Sequence, residues 1–134
     1  MKTYSKHIAL NTEKKEIINI TSRVQMILHD SGIKEGMCLV NSMHTTSALF
    51  INEDEQGLKQ DLLKTIEELI PQENDYKHFG DDNAHAHIKS MILGRGVTIA
   101  VSENKLELGQ WEQIMFLELD GPRTRKIAVK IIGE

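Results

Sequence analysis

The chain has one cysteine, two prolines and six aromatic side chains among its 134 residues, and each shortage removes a class of protein. A lone Cys38 rules out an internal disulfide, and its setting in "GMCLVNS", an apolar run of strand character, suits a buried inert thiol. No apolar run reaches the ~20 residues that a membrane-spanning helix needs. The amino terminus "MKTYSKHIALNTEKK" lacks the apolar core of a signal peptide, so a cytoplasmic protein is expected. The sixteen Lys and Arg are scattered, with only short pairs such as Lys14-Lys15, and the formal net charge is −4. Nucleic acid and anionic membranes need concentrated positive surface, so neither is expected as a partner. An anionic small molecule needs only one or two placed cations and stays open. No repeat, low-complexity tract or linker divides the chain, and Pro71 and Pro122 read as element boundaries.

What is present suits one folded domain over residues 1–134. Hydrophobic residues make up 40% and charged ones 27%, an ordinary globular balance. "YSKHIAL" alternates weakly, as a strand does. Ile17, Ile20, Val24, Ile27 and Leu28 recur at helical spacing until Ser31-Gly32. "MCLVNSM" and "SALFINE" predict two strands. "NEDEQGLKQDLLKTIEELIP" predicts the clearest helix, capped by Asn52 with Glu55 three residues on, and a buried stripe of Leu58, Leu62, Ile66 and Leu69. Residues 72–86 show no apolar period, a long connection for a compact domain. A short helix at "HIKSMILG" and strands at "GVTIAVS", "WEQIMFLEL" and "KIAVKII" follow. Helices early and strands late predict an α+β fold with a mainly antiparallel or mixed sheet, two main helices and one short one.

Six histidines supply the candidate chemistry. Imidazole is the commonest neutral ligand of zinc-like metals, and three of them leave a coordination position free. His85 and His87 stand two apart in "DDNAHAHIK". They would share one face of a strand but diverge by about 200° on a helix, so spacing alone does not make them co-ligands. His7 and His29 fall on solvated faces. His44, in "SMHTTS", lies beside two hydroxyls at a strand margin. "LDGPRTRK" offers Asp120 and Arg123 around a Gly-Pro turn: either a hairpin with solvated charges, or a rigid mount for a guanidinium that binds phosphate.

"HTTSALFINE", "DYKHFGDDNAHAHIKSMILG" and "LELGQWEQIMFLELDGPRTR", in that order and over nearly the whole chain, resemble the YjbQ-like family. The resemblance implies a compact α+β subunit that forms a homotrimer, with a histidine-rich site near a subunit boundary. It also implies a secondary thiamine-phosphate synthase activity, joining a pyrimidine methyl diphosphate to a thiazole phosphate with loss of diphosphate. Carried over residue by residue, the family's metal ligands fall on His44, His78 and His87, its asparagine on Asn83, and its acidic and basic pair on Asp120 and Arg123. His85 becomes the bystander. Gln110 and Glu112 depart from the family's usual Gly-Thr-Trp-Gln, and Met91 stands where serine is common.

The chemistry would then need a divalent metal, zinc being the default for imidazole ligands. Arg123 and Lys89 would neutralise the leaving group, with Thr45, Thr46 and Ser90 as hydroxyl donors. Trp111 would be either a flat wall for a ring or part of the core. Two rivals remain: metal-dependent hydrolysis of phosphate esters, and a non-catalytic trimer that binds a metal or an anion.

Overall fold

Alternation at period two decides the architecture. In the last strand Arg125, Ile127, Val129 and Ile131 are buried while Lys126 and Lys130 are exposed, so one edge-on run of residues separates core from solvent. The computed structural model describes residues 1–80 and 82–134. Its elements run β1 (Lys2–Asn11), β2 (Glu16–Asn19), α1 (Thr21–Ser31), β3 (Gly36–Ser42), β4 (Ser47–Asn52), α2 (Gln56–Leu69), α3 (Ala84–Leu93), β5 (Gly96–Ser102), β6 (Lys105–Leu106), β7 (Gln113–Glu118) and β8 (Thr124–Gly133). All pairings are antiparallel. They form a five-stranded sheet ordered β1-β8-β3-β5-β6 and a three-stranded sheet ordered β2-β7-β4.

The main core lies between these sheets. It joins Ile8, Val40, Ile99, Ile127 and Val129 of the larger sheet to Leu49, Ile114 and Phe116 of the smaller one, with Val24 and Leu28 of α1 in the same cluster. Cys38 is buried here, and burial pushes its thiol up to about 11, so it is an inert core residue. The other face of the small sheet presents Ala48, Leu117 and Leu119 to Ala86 of α3, with Leu63 of α2 packed alongside. Helices α2 and α3 therefore cover the small sheet, and the outer face of the large sheet, carrying Met37 and Leu39, stays uncovered.

The α+β class holds, with three helices and antiparallel sheets, but several local expectations do not. Ile17 and Ile18 belong to strand β2 rather than to the first helix, because they pair with Leu117 and Phe116. β2 thus follows β1, the opening strand expected at "YSKHIAL", before the first helix begins. Glu55, not Asn52, caps α2, its carboxylate accepting from the Gly57 and Leu58 amides. The intended stripe of α2 is only partly buried: Ile66 is enclosed, whereas Leu58 and Leu69 face out. Helix α3 begins at Ala84, so both His85 and His87 lie within it.

The segment after β7 is no hairpin either. β7 and β8 belong to different sheets, and residues 119–123 carry the chain between them. Gly121 donates its N–H to the Lys14 carbonyl at 3.0 Å, and a Cβ there would stand 1.9 Å from the Glu13 oxygen. Only glycine fits that approach.

Where the two sheets meet this crossing, the inward alternation runs out of hydrocarbon. β7 follows Ile114 and Phe116 with Glu118, and β8 precedes Ile127 with Arg125. Glu118 is 0% and Arg125 3% exposed, and they form a two-pronged ion pair. The Thr12 hydroxyl donates to Glu118 at 2.6 Å and the Asp120 amide at 2.9 Å. Burial pushes the Glu118 carboxyl up, but Arg125, Thr12 and the Asp120 amide outweigh it and hold it below the ordinary glutamate range. A native carboxylate lowered in this way stabilises the fold above the unfolded glutamate's pKa and loses that contribution as pH falls. Urea titrations should show Arg125→Met costing ~3–5 kcal/mol at pH 7, while the double variant Glu118→Met/Arg125→Met recovers most of it. The double variant should also lose less stability than the wild-type chain between pH 5 and 3.

Candidate functional site

Beside this ion pair lies an open cavity of about 370 Å³ lined by Met43, His44, Thr45, Thr46, Asn83, His87, Arg123 and Arg125. Its position follows from the backbone. The β3–β4 connection supplies residues 43–46, the start of α3 supplies Asn83 and His87, the β7–β8 crossing supplies Arg123 and β8 supplies Arg125. Arg125 is anchored by Glu118 and donates through Nη2 to the Thr46 hydroxyl at 2.9 Å and carbonyl at 3.2 Å. Its Nη1 has no protein partner among the described residues.

Asp120 builds the adjoining wall. Its Oδ2 accepts from Arg123 Nη2 at 3.0 Å and from Asn83 Nδ2 at 2.8 Å, and its carbonyl takes Arg123 Nε at 2.8 Å. Burial would raise this carboxyl, but Asn83, Arg123 and the Arg125 charge hold it below the usual aspartate range. Asp120 is therefore a fixed carboxylate that aims Arg123, whose Nη1 stays uncommitted. Asn83 is 7% exposed and its Oδ1 has no partner among the described residues, because the side chain turns to Asp120 instead of capping α3.

Of the residues anticipated from sequence, His44, Thr45, Thr46, Asn83, His87 and Arg123 line this one cavity, with Asp120 bonded behind it. Lys89 and Ser90 do not. Lys89 is 0% exposed; its ammonium sits 2.7 Å from Glu67 of α2 and 2.9 Å from His85 Nδ1. Ser90 donates to the Ser47 carbonyl, pinning α3 to β4. His85 and His87 diverge as helix geometry requires. His85 is buried with Lys89 at i, i+4, and its imidazole is pushed down by burial and by the Lys89 charge. His87 faces His78, with ring centroids 4.7 Å apart. Trp111 is 65% exposed and lines a different cavity with Asn19 and Glu53, so it is neither core nor a wall of this site.

Of the three anticipated metal ligands, His44 accepts the Lys126 amide on Nε2 at 2.9 Å and shares the cavity with His87, whose ring faces that of His78. Among the described residues no three His, Cys, Asp or Glu side chains are arranged to hold a metal. Sequence reading missed the Glu118–Arg125 anchor. The signal was available: carrying the alternation of β7 forward and of β8 backward puts both charges on inward positions.

The family model for "UPF0047 protein YjbQ-like" matches residues 6–134. The chain belongs to the YjbQ-like family. A UPF0047 protein of Archaeoglobus fulgidus is 46% identical, covering 93% of this chain and 98% of its own. One from Methanothermobacter thermautotrophicus is 40% identical, covering 100% and 95%. The crystal structure of a protein of unknown function from Sulfolobus solfataricus, described as YbjQ-like, superposes with a TM-score of 0.97 at 43% identity, over 99% of both chains. A YjbQ/UPF0047 protein of Clostridium acetobutylicum gives 0.91 at 39%, over 95% of this chain and 99% of that one. These YjbQ-like relatives establish the fold without naming a reaction. His85→Ala should lower stability by ~1–3 kcal/mol, because buried Lys89 loses a partner. Calorimetry with zinc chloride should show His78→Ala and His87→Ala weakening any zinc binding while His85→Ala leaves it unchanged.

Proposed function

We propose that the cavity binds a phosphorylated small molecule and that the chain is a transferase of the thiamine-phosphate synthase type. One observation carries this reading: the uncommitted Nη1 groups of Arg123 and Arg125 open onto the same cavity as the Thr45 hydroxyl, each guanidinium fixed from behind by a carboxylate. In the proposed reaction a ring nitrogen of the thiazole phosphate forms a bond to the pyrimidine methylene carbon. The carbon–oxygen bond to diphosphate breaks, and diphosphate leaves with the electron pair. The charge that builds on the departing oxygens is met by donors already in place, which is where fixed guanidinium groups lower a barrier most. Asp120 and Glu118 hold the arginines, so no reorganisation is needed as charge develops.

A divalent metal, zinc by default for imidazole, stays in the proposal: of the expected ligands His44, His78 and His87, the neighbouring His78 and His87 would hold it, and no step of the reaction is routed through it. The homotrimer also remains a proposal. It is supported by the uncovered apolar side chains Met37 and Leu39 on the large sheet and Met91 and Ile92 on α3. No helix among the described residues is long and apolar enough to cross a membrane, and we place the protein in the cytoplasm.

Complementation of a strain lacking its thiamine-phosphate synthase tests the reading. The intact chain should restore growth without thiamine, and Arg123→Met should lower synthase turnover at least tenfold. Phosphate binding without rescue would leave the non-catalytic anion-binding role in its place. Lys89→Met should keep diphosphate affinity within about twofold, in line with its place outside the cavity.

A further inference from the structure

We propose that His44 serves this cavity as a fixed Nδ1–H donor to an ionised phosphate oxygen, its tautomer set by the backbone of β8. The inference rests on the cavity being a phosphate site and adds the form of phosphate it accepts.

The geometry begins with a strand that stops early. β3 pairs with β8 as far as Ser42 opposite Ile127, so the next β8 amide on that side, Lys126, has no strand to donate to. The His44 ring takes the vacant place. Lys126 N–H donates to Nε2 at 2.9 Å, which requires a lone pair on that nitrogen. A neutral imidazole carries one ring hydrogen, and here it belongs on Nδ1. The charged form is disfavoured, since burial first and the Arg125 guanidinium second both push the imidazole down. A proton on Nε2 would also meet the Lys126 N–H head-on.

Nδ1 has no protein partner among the described residues and is not enclosed, while the ring lines the cavity with Arg123 and Arg125. Three donors, two guanidinium edges and one imidazole N–H, then open onto one space. Such a set accepts an unprotonated oxygen and rejects a ligand that presents N–H or O–H at the same point. It also conflicts with metal ligation by His44. Binding at Nε2 would displace Lys126, and binding at Nδ1 would force the ring hydrogen onto the nitrogen that Lys126 already faces.

Long-range ¹H–¹⁵N spectra of the histidines, combined with calorimetry using inorganic phosphate and inorganic diphosphate, test this on the intact chain. The wild-type protein should show His44 with its hydrogen on Nδ1, and diphosphate should shift that resonance. His44→Asn places an amide N–H near the Nδ1 position and should keep diphosphate affinity within about threefold. His44→Gln reaches only the Nε2 position and should lose about tenfold or more. A hydrogen on Nε2, or a glutamine variant that binds as well as the asparagine one, would overturn the role of His44 while phosphate binding by the wild type upheld the cavity. Absence of phosphate and diphosphate binding by the wild type would overturn both. If a variant does not fold, the wild-type spectrum alone decides.

Discussion

The ion pair of Glu118 and Arg125 governs this molecule. It occupies inward positions on two strands from different sheets, at the level where the hydrocarbon core gives way to the crossing between them. A buried pair is costly unless its remaining hydrogen-bonding capacity is used, and here Thr12, Thr46 and the Asp120 amide use all but Nη1 of Arg125, which borders the cavity. The same contacts bring the β1–β2 connection, the β3–β4 connection and the β7–β8 crossing to one place. The cavity is the space left beside that junction, and its arginines are rigid because their carboxylates are part of the fold.

Helix α3 divides two tasks between its faces. One face carries His85 and Lys89 against Glu67 of α2 and Ala86 against the small sheet, so it holds the helix in position. The opposite side carries His87 toward His78 and the cavity. Asn83 gives up its usual role as a cap to hold Asp120, and the helix start is fastened to the crossing instead. Packing on one side thus sets the geometry of the other.

Much of this was legible in the residues. The strands at 96–102 and 126–132, the buried cysteine and the exposed His7 and His29 follow from period and polarity. Around "HTT", "NAHAH" and "DGPR", residues His44, Thr45, Thr46, Asn83, His87 and Arg123 line one cavity, whereas His85, Lys89 and Ser90 lie outside it. What period did not reveal was sheet membership. Ile17-Ile18 suits a helix turn as well as a strand, and only pairing with β7 decides it. Leu58 and Leu69 fit a buried stripe, yet no element covers them.

The sequence by itself determined the fold class, the family and the residue types at the site, because alternation, caps and turn chemistry act over neighbouring positions. The tertiary structure decided which charge meets which. Lys89, expected at the leaving group, is taken up by Glu67 of α2, and Arg125 is anchored by Glu118 at the end of β7. His44 stands at a strand margin in the sequence, and only the fold brings the Lys126 amide of β8 to its Nε2. In each case the partner lies between 7 and 82 residues away. No local pattern carries that information, since long-range pairing is set by how the sheets close.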